Sequence, residues 1–212
     1  MQVKYFIRTT KDRELHHSIK EELGDEFTLL VDNEHKPVDS FIKQLKDISN
    51  YDSVLLEDDI ILCKGFKQKI ESAIKEYKEN IINFFSYPSK FFTTYLAIGN
   101  FAYNQCTYYP KGVGEIIANE MEKIRQPYNQ YDTLENQALW SLEIPHVKYR
   151  PCLVQHIDYS TLIQKSHPEP RRCIWFVDYL DELEIEYNKS YTKENKEKLK
   201  ALMKQKFNET KQ

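Results

Sequence analysis

Glycine and proline are scarce in this 212-residue chain, at 5 and 8. That excludes collagen-like and low-complexity sequences. No apolar run approaches the roughly 20 residues that span a bilayer. The opening Met-Gln-Val-Lys-Tyr-Phe-Ile-Arg lacks the apolar stretch and small-residue cleavage site of a signal peptide. Cytoplasmic residence is the resulting expectation. Cysteine is rare as well. Cys63, Cys106, Cys152 and Cys173 never fall at CxxC spacing, so neither a zinc knuckle nor a redox motif is present, and reduced thiols in or near a core are expected. A basic excess is missing too. Lys and Arg number 30 against 33 Asp and Glu, a formal net charge of -3, and no global field would hold nucleic acid. What remains is 41% hydrophobic and 30% charged. Such a globular composition excludes disorder throughout, and the length suffices for one domain with its own core.

The first half alternates strand and helix patterns. Residues 3–7 read as a strand. A helix carrying Leu15, Ile19 and Leu23 follows, with Thr9 and Asp12 at capping-box spacing. Residues 27–31 form a second strand that runs into a turn at Asp32-Asn33. A helix carrying Phe41, Leu45 and Ile48 leads to a third strand over 53–56, which ends in Glu57-Asp58-Asp59. Next come a helix with Phe66, Ile70, Ile74 and Tyr77 and a strand at 81–85. Short apolar strands separated by helices predict an α/β fold with a parallel sheet covered on both faces. Such sheets take ligands beyond the carboxyl ends of their strands, where Arg8, Asp32 and the acidic triplet all lie.

The second half is less regular. Residues 86–110, rich in Tyr, Phe and Thr, resist assignment. Helices are expected over 111–121 and from Asp132 onward, with short strands at 147–150 and 153–157. Residues 178–186 are acidic. Residues 189–212 hold eight Lys against three Glu, and Leu199, Leu202, Met203 and Phe207 give that stretch an apolar stripe. We read a charged helical extension over 177–212, following a main domain over 1–176.

Along an extended chain Glu57 and Asp59 share one face and Asp58 points away. Two carboxylates at a strand end suit a hard divalent cation, Mg²⁺ or Mn²⁺, whose other sites go to phosphate and water. The alternative is an acidic turn that keeps the strand end solvated.

Val54-Leu55-Leu56-Glu57-Asp58-Asp59, followed by Gly65-Phe66, resembles the metal-binding segment of GT-A nucleotide-sugar glycosyltransferases, written LEDD in lipopolysaccharide-type and phage-borne members. Pro151-Cys152-Leu153-Val154-Gln155-His156-Ile157 is similar to the PSLVQHIG segment of the same enzymes, with Cys152 in place of Ser. Arg171-Arg172-Cys173-Ile174-Trp175-Phe176 is similar to their Arg-x-Ser-x-x-Phe ending. The resemblance implies a GT-A fold with a mostly parallel central sheet. It also implies metal-dependent transfer from a nucleoside diphosphate sugar, UDP-sugar favoured, to an acceptor hydroxyl. The cation, Mn²⁺ or Mg²⁺, would be held by Asp59 and His156, with Glu57 on the metal or the ribose. Arg8, Thr9, Asp32, Asn33, Asp58, Arg171 and Arg172 would contact the nucleotide and its phosphates. The acceptor would be a glycan or a modified base in phage DNA, in the host cytoplasm.

Inverting transfer needs a base, and Asp132 at a helix start is our choice, with Glu135 in reserve. Each residue also has a plainer role. Asp132 serves as an N-cap, Asp32 and Asn33 as turn formers, Arg13 as a helix-surface charge, His156 as a core histidine, and Arg171 and Arg172 as loop charges. His16, His17, His35, His146 and His167 are read as solvated or structural. A non-catalytic nucleotide- and metal-binding module of the same fold is the competing class. A nucleotidyltransferase is disfavoured, because Ile7-Arg8-Thr9-Thr10-Lys11 has no glycine.

Overall fold

A computed structural model describes residues 2–85, 93–101, 103–125, 130–157, 172–187 and 192–209. In chain order the elements are β1 (Val3–Thr9), α1 (His17–Leu23), β2 (Phe27–Val31), α2 (Pro37–Ile48), β3 (Asp52–Glu57), β4 (Ile60–Leu62), α3 (Phe66–Glu76), β5 (Ile81–Asn83), β6 (Tyr95–Ala97), β7 (Cys106–Tyr109), α4 (Val113–Lys123), α5 (Tyr131–Ser141), β8 (His146–Lys148), β9 (Val154–His156), α6 (Val177–Glu182) and α7 (Lys193–Glu209). Seven strands form one sheet in the order β2-β1-β3-β7-β5-β8-β6, and β4 pairs with β9 in a second, two-stranded sheet. The fold is mixed α/β. In the large sheet β1, β2, β3, β5 and β8 run one way, while β7 and β6 run against their neighbours.

Strand alternation divides the core in two. Tyr5, Ile7, Val54 and Leu56 face one side and meet Phe66, Ile70 and Ile74 of α3. Phe6 and Leu55 face the other and meet Phe41, Leu45 and Ile48 of α2, with Ile117 and Met121 of α4 and Leu134, Ala138 and Leu139 of α5. Proline opens α2 at its first turn, where a missing N–H costs nothing. The packing of α4 on α2 depends on Gly114, since a Cβ there would meet the Leu45 carbonyl oxygen at 2.4 Å. Ser49 then caps α4, its Oγ accepting from Glu115 N at 3.0 Å.

Several expectations are corrected. Thr9 does not cap a helix. It stays in β1 opposite Val31, and its hydroxyl donates to Asp58 instead. Helix α1 starts later, with the His16 ring accepting from Ser18 N. An unforeseen strand, β4, lies between the acidic triplet and α3. The unassigned stretch supplies β6 and β7, and β7 occupies the middle of the sheet, reversed between β3 and β5. Asp132 is not the N-cap of α5. Gln130 holds that position, and Asp132 Oδ1 accepts from Thr133 N at 2.8 Å and from Thr133 Oγ1 at 3.5 Å. All four cysteines are buried thiols outside any disulfide. In the C-terminal segment, Leu199 and Leu202 of α7 and Tyr179 and Leu180 of α6 are buried in the same cluster as β1 and β3. Among the described residues no helix is long and apolar enough to cross a membrane.

Candidate functional site

The carboxyl ends of β1, β2 and β3 carry a charged cluster. Arg8 and Glu57 lie opposite each other in register. The Arg8 guanidinium donates to Glu57 Oε1 at 2.6 Å and to Gln44 Oε1 at 2.7 Å. It stands 4.6 Å from the Phe41 ring centroid and 4.2 Å from that of Tyr131, a cation held between aromatic faces. Tyr131 completes the group by donating to the same Glu57 oxygen at 3.0 Å. Burial works against the Arg8 charge, and Glu57 and Tyr131 more than offset it. Burial likewise raises the Glu57 carboxyl, with Arg8 pulling it back.

After Glu57 the chain bends, so the alternation that would set Asp58 apart from Asp59 ends there. Arg13 instead spans both acids, 2.6 Å from Asp58 Oδ1 and 3.3 Å from Asp59 Oδ2. Thr9 Oγ1 donates to Asp58 Oδ2 at 2.8 Å. Arg13 lies outside any helix, so its reading as a helix-surface charge is replaced by a bridging role. Burial again opposes the Arg13 charge, and Asp58 and Asp59 outweigh it.

The two segments remote in sequence converge here. Antiparallel pairing of β4 with β9 sets Ile60 against His156, and Ile157 N donates to the Asp59 carbonyl at 2.8 Å. The His156 Nε2 consequently lies 3.5 Å from Asp59 Oδ2. Gln155, one residue earlier, faces the other way. Its Oε1 accepts from Cys173 N at 2.8 Å and its Nε2 donates to Cys173 O at 2.9 Å. Alternation along β9 thus lets one residue anchor the 172–176 segment while the next reaches the acidic turn.

The other candidates fall as follows. Asp32 follows β2 at the same edge, its N–H donating to Thr9 O at 2.9 Å. One carboxylate oxygen accepts from Glu34 N and Lys36 N, so the turn role is made, and Asn33 beside it is exposed. Asp132 is half-exposed at the start of α5. Glu135 is not. It is sealed from solvent and accepts from Tyr109 Oη at 2.7 Å and from the Asn104 amide. Burial pushes its carboxyl up to about 8, with Tyr109 and Asn104 opposing. Both Glu135 oxygens are thus already taken by Tyr109 and Asn104 inside the core, which removes Glu135 as a reserve base. Arg172 is buried next to Cys173. Arg171 and His167 lie outside the described residues. His146 is core, as its structural reading required.

Sequence reasoning missed Arg13, Gln44 and Tyr131 as members of the cluster. A Tyr directly before Asp132 was the one available signal, because an aromatic hydroxyl at a helix start can reach a strand-end acid. Asp59 and His156 are two donors of the kinds Mn²⁺ accepts, one carboxylate oxygen and one imidazole nitrogen. Among the described residues no group of three or more His, Cys, Asp or Glu could hold a metal ion. The pair fits a cation that takes most of its coordination from phosphate oxygens and water.

No family model and no curated protein matches the chain. Among solved structures, A197 from STIV is similar at 13% identity and a TM-score of 0.47, over 75% of this chain and 87% of that one. A likeness of that size carries no inference about this chain.

Proposed function

We propose that the chain is a glycosyltransferase of GT-A type that uses a nucleoside diphosphate sugar, a UDP-sugar by preference, with Mn²⁺ or Mg²⁺. The observation that supports this reading is the convergence of Asp59 and His156 at 3.5 Å through the β4–β9 pairing. Those residues come from the two segments that resemble the enzyme group; Asp59 follows β3 at the carboxyl edge of parallel strands, where such sheets take ligands, and His156 reaches it from the antiparallel β4–β9 pair. Asp59 and His156 would hold the cation, and when bound it neutralises charge on the leaving diphosphate. Glu57 is committed to Arg8 and Tyr131, so its part is to fix the strand end. Asp58, held by Thr9 and Arg13, keeps the acidic turn in shape. Asp132 is the half-exposed carboxylate that would take the acceptor proton at the start of α5.

A second reading rests on Arg13. Its guanidinium already pairs with both Asp58 and Asp59, as a nucleotide-binding module without turnover would allow. The deciding experiment is a screen of UDP-, GDP- and TDP-sugars for Mn²⁺-dependent hydrolysis without acceptor. Hydrolysis by one donor, reduced about a thousandfold in Asp59→Asn and His156→Ala, corresponds to about 4 kcal/mol of barrier and supports the enzyme. Donor binding without hydrolysis, unaffected by Asp132→Asn, favours the module. Absence of any donor binding with Mn²⁺ present defeats both.

A further inference from the structure

Farther along the same edge lies a basic site that the proposed donor chemistry does not use. Register places Leu55, Thr107, Asn83, Lys148 and Tyr95 in one row across β3, β7, β5, β8 and β6. Residues in one such row share a face, and Leu55 packs in the α2–α4–α5 core, so the row faces that side. Asn83 and Lys148 are the last residues of two parallel strands. Both are buried, Lys148 at 4% exposure. Among the described residues the Lys148 amine has neither a hydrogen-bond acceptor nor a carboxylate partner. It has only the Phe101 ring, 5.9 Å from Nζ. The Asn83 amide donates to Tyr103 O at 3.1 Å, while its Oδ1 is buried without a hydrogen-bond donor. Arg150 is buried close by and adds repulsion of the same sign to the cost of burying the amine.

A buried ammonium without a counter-charge is costly. Here it neighbours a buried acceptor oxygen that also lacks a partner. We propose that Lys148 and Asn83 form a subsite for an anionic, hydroxyl-bearing ligand: a sugar carrying a carboxylate or phosphate, with the anion on the Lys148 amine and a hydroxyl donating to Asn83 Oδ1. The site would make an acidic sugar the ligand bound at this end of the edge. It stands without the donor reading, because it requires neither metal nor nucleotide.

The test follows ¹⁵N-labelled lysine amine signals while glucuronate, glucose 6-phosphate or glucose is added to the full chain, with no Mn²⁺ or nucleotide. The Lys148 signal is assigned by its loss in Lys148→Arg. We expect a saturable shift of that signal with one or both anionic sugars and none with glucose, and the better ligand distinguishes carboxylate from phosphate. Asn83→Asp supplies an internal anion and should weaken binding at least tenfold, and Lys148→Met should abolish it. Melting curves check that both variants fold. No saturable shift with either anion, an equal shift with glucose, or undiminished binding by folded Asn83→Asp overturns the proposal. Because the mixture contains no donor, failure here leaves the hydrolysis screen untouched, and failure of that screen leaves this result standing.

Discussion

The two ends of the sheet's carboxyl edge solve the problem of buried charge in opposite ways. At the β1–β3 end every charge has a partner: Glu57 has Arg8 and Tyr131, and Arg13 spans Asp58 and Asp59. Among the described residues at the β5–β8 end, Lys148 has an aromatic ring and no acid, and both His146 nitrogens lack hydrogen-bond partners. Between them, Glu135 is held by neutral donors alone. The first end is internally paired, two arginines against three acids, and a cation must compete there with Arg13. At the second end the Lys148 amine has no counter-charge among the described residues and gains by taking up an anion.

Glu135 gives the largest expected effect, because a buried acid hydrogen-bonded only by neutral donors among the described residues is the plainest departure from the internally paired end. Its carboxyl is pushed up to about 8 by burial, against about 4.5 for an exposed glutamate. The native state therefore holds this proton more tightly than the unfolded state. Its contribution is fully present below about pH 4.5 and is lost as pH rises to about 8. The shift corresponds to about 5 kcal/mol as an upper bound. Urea melts of wild type and Glu135→Gln from pH 4 to 9 should converge at acid pH, with the variant ahead at pH 9. Parallel curves would mean that Tyr109 and Asn104 keep Glu135 ionised.

Arg8→Met and Lys148→Met break the comparison directly, since both replace a buried cation with an apolar chain of similar length. Arg8→Met leaves Glu57 buried without its cation and should cost about 3–5 kcal/mol at pH 7. Lys148→Met strands no acid. Burial lowers the Lys148 amine to about 8, with Arg150 adding to the effect, so the native state at pH 7 carries a charge that the fold disfavours. Wild-type stability should rise as pH climbs from about 8 toward 10.5, where the unfolded amine also loses its proton. Lys148→Met should lack that rise and be about 2–3 kcal/mol more stable at pH 7. Equal losses in the two variants by denaturant melts would erase the difference between the ends.

These differences show what the sequence could and could not convey. Phe27–Val31 as a strand, and Phe41, Leu45 and Ile48 as one face of a helix, were legible because apolar spacing is local. β7 was not, because Cys106–Tyr109 is buried on both faces and has no alternation to read. Short β4 and β6 depend wholly on remote partners. In the site, Asp59 and His156 stood out through their flanking residues, whereas Arg13 became a bridge only because α1 starts at His17 and leaves it in the preceding loop. Lys148 lies on a short strand that the sequence places at 147–150, with no local sign of burial. Its burial follows from β6 closing over that edge of the sheet, which no local pattern records.

The smallest effect is the one that tests how the internally paired end admits a cation. Arg13 is partly exposed, with 21% of its side-chain surface accessible, so its ion pairs are screened and hold Asp58 and Asp59 only modestly. Arg13→Ala removes the competitor without touching Asp59 or His156. If Mn²⁺ enters by displacing that guanidinium from Asp59, titration of Mn²⁺ should show about tenfold tighter binding, about 1.4 kcal/mol. The gain should shrink at high salt, where the arginine competes less well in the wild type. Weaker Mn²⁺ binding by the variant would mean that Arg13 orders the acidic turn for the metal instead of occupying its place. The two ends would then differ in geometry and not in how they compensate charge.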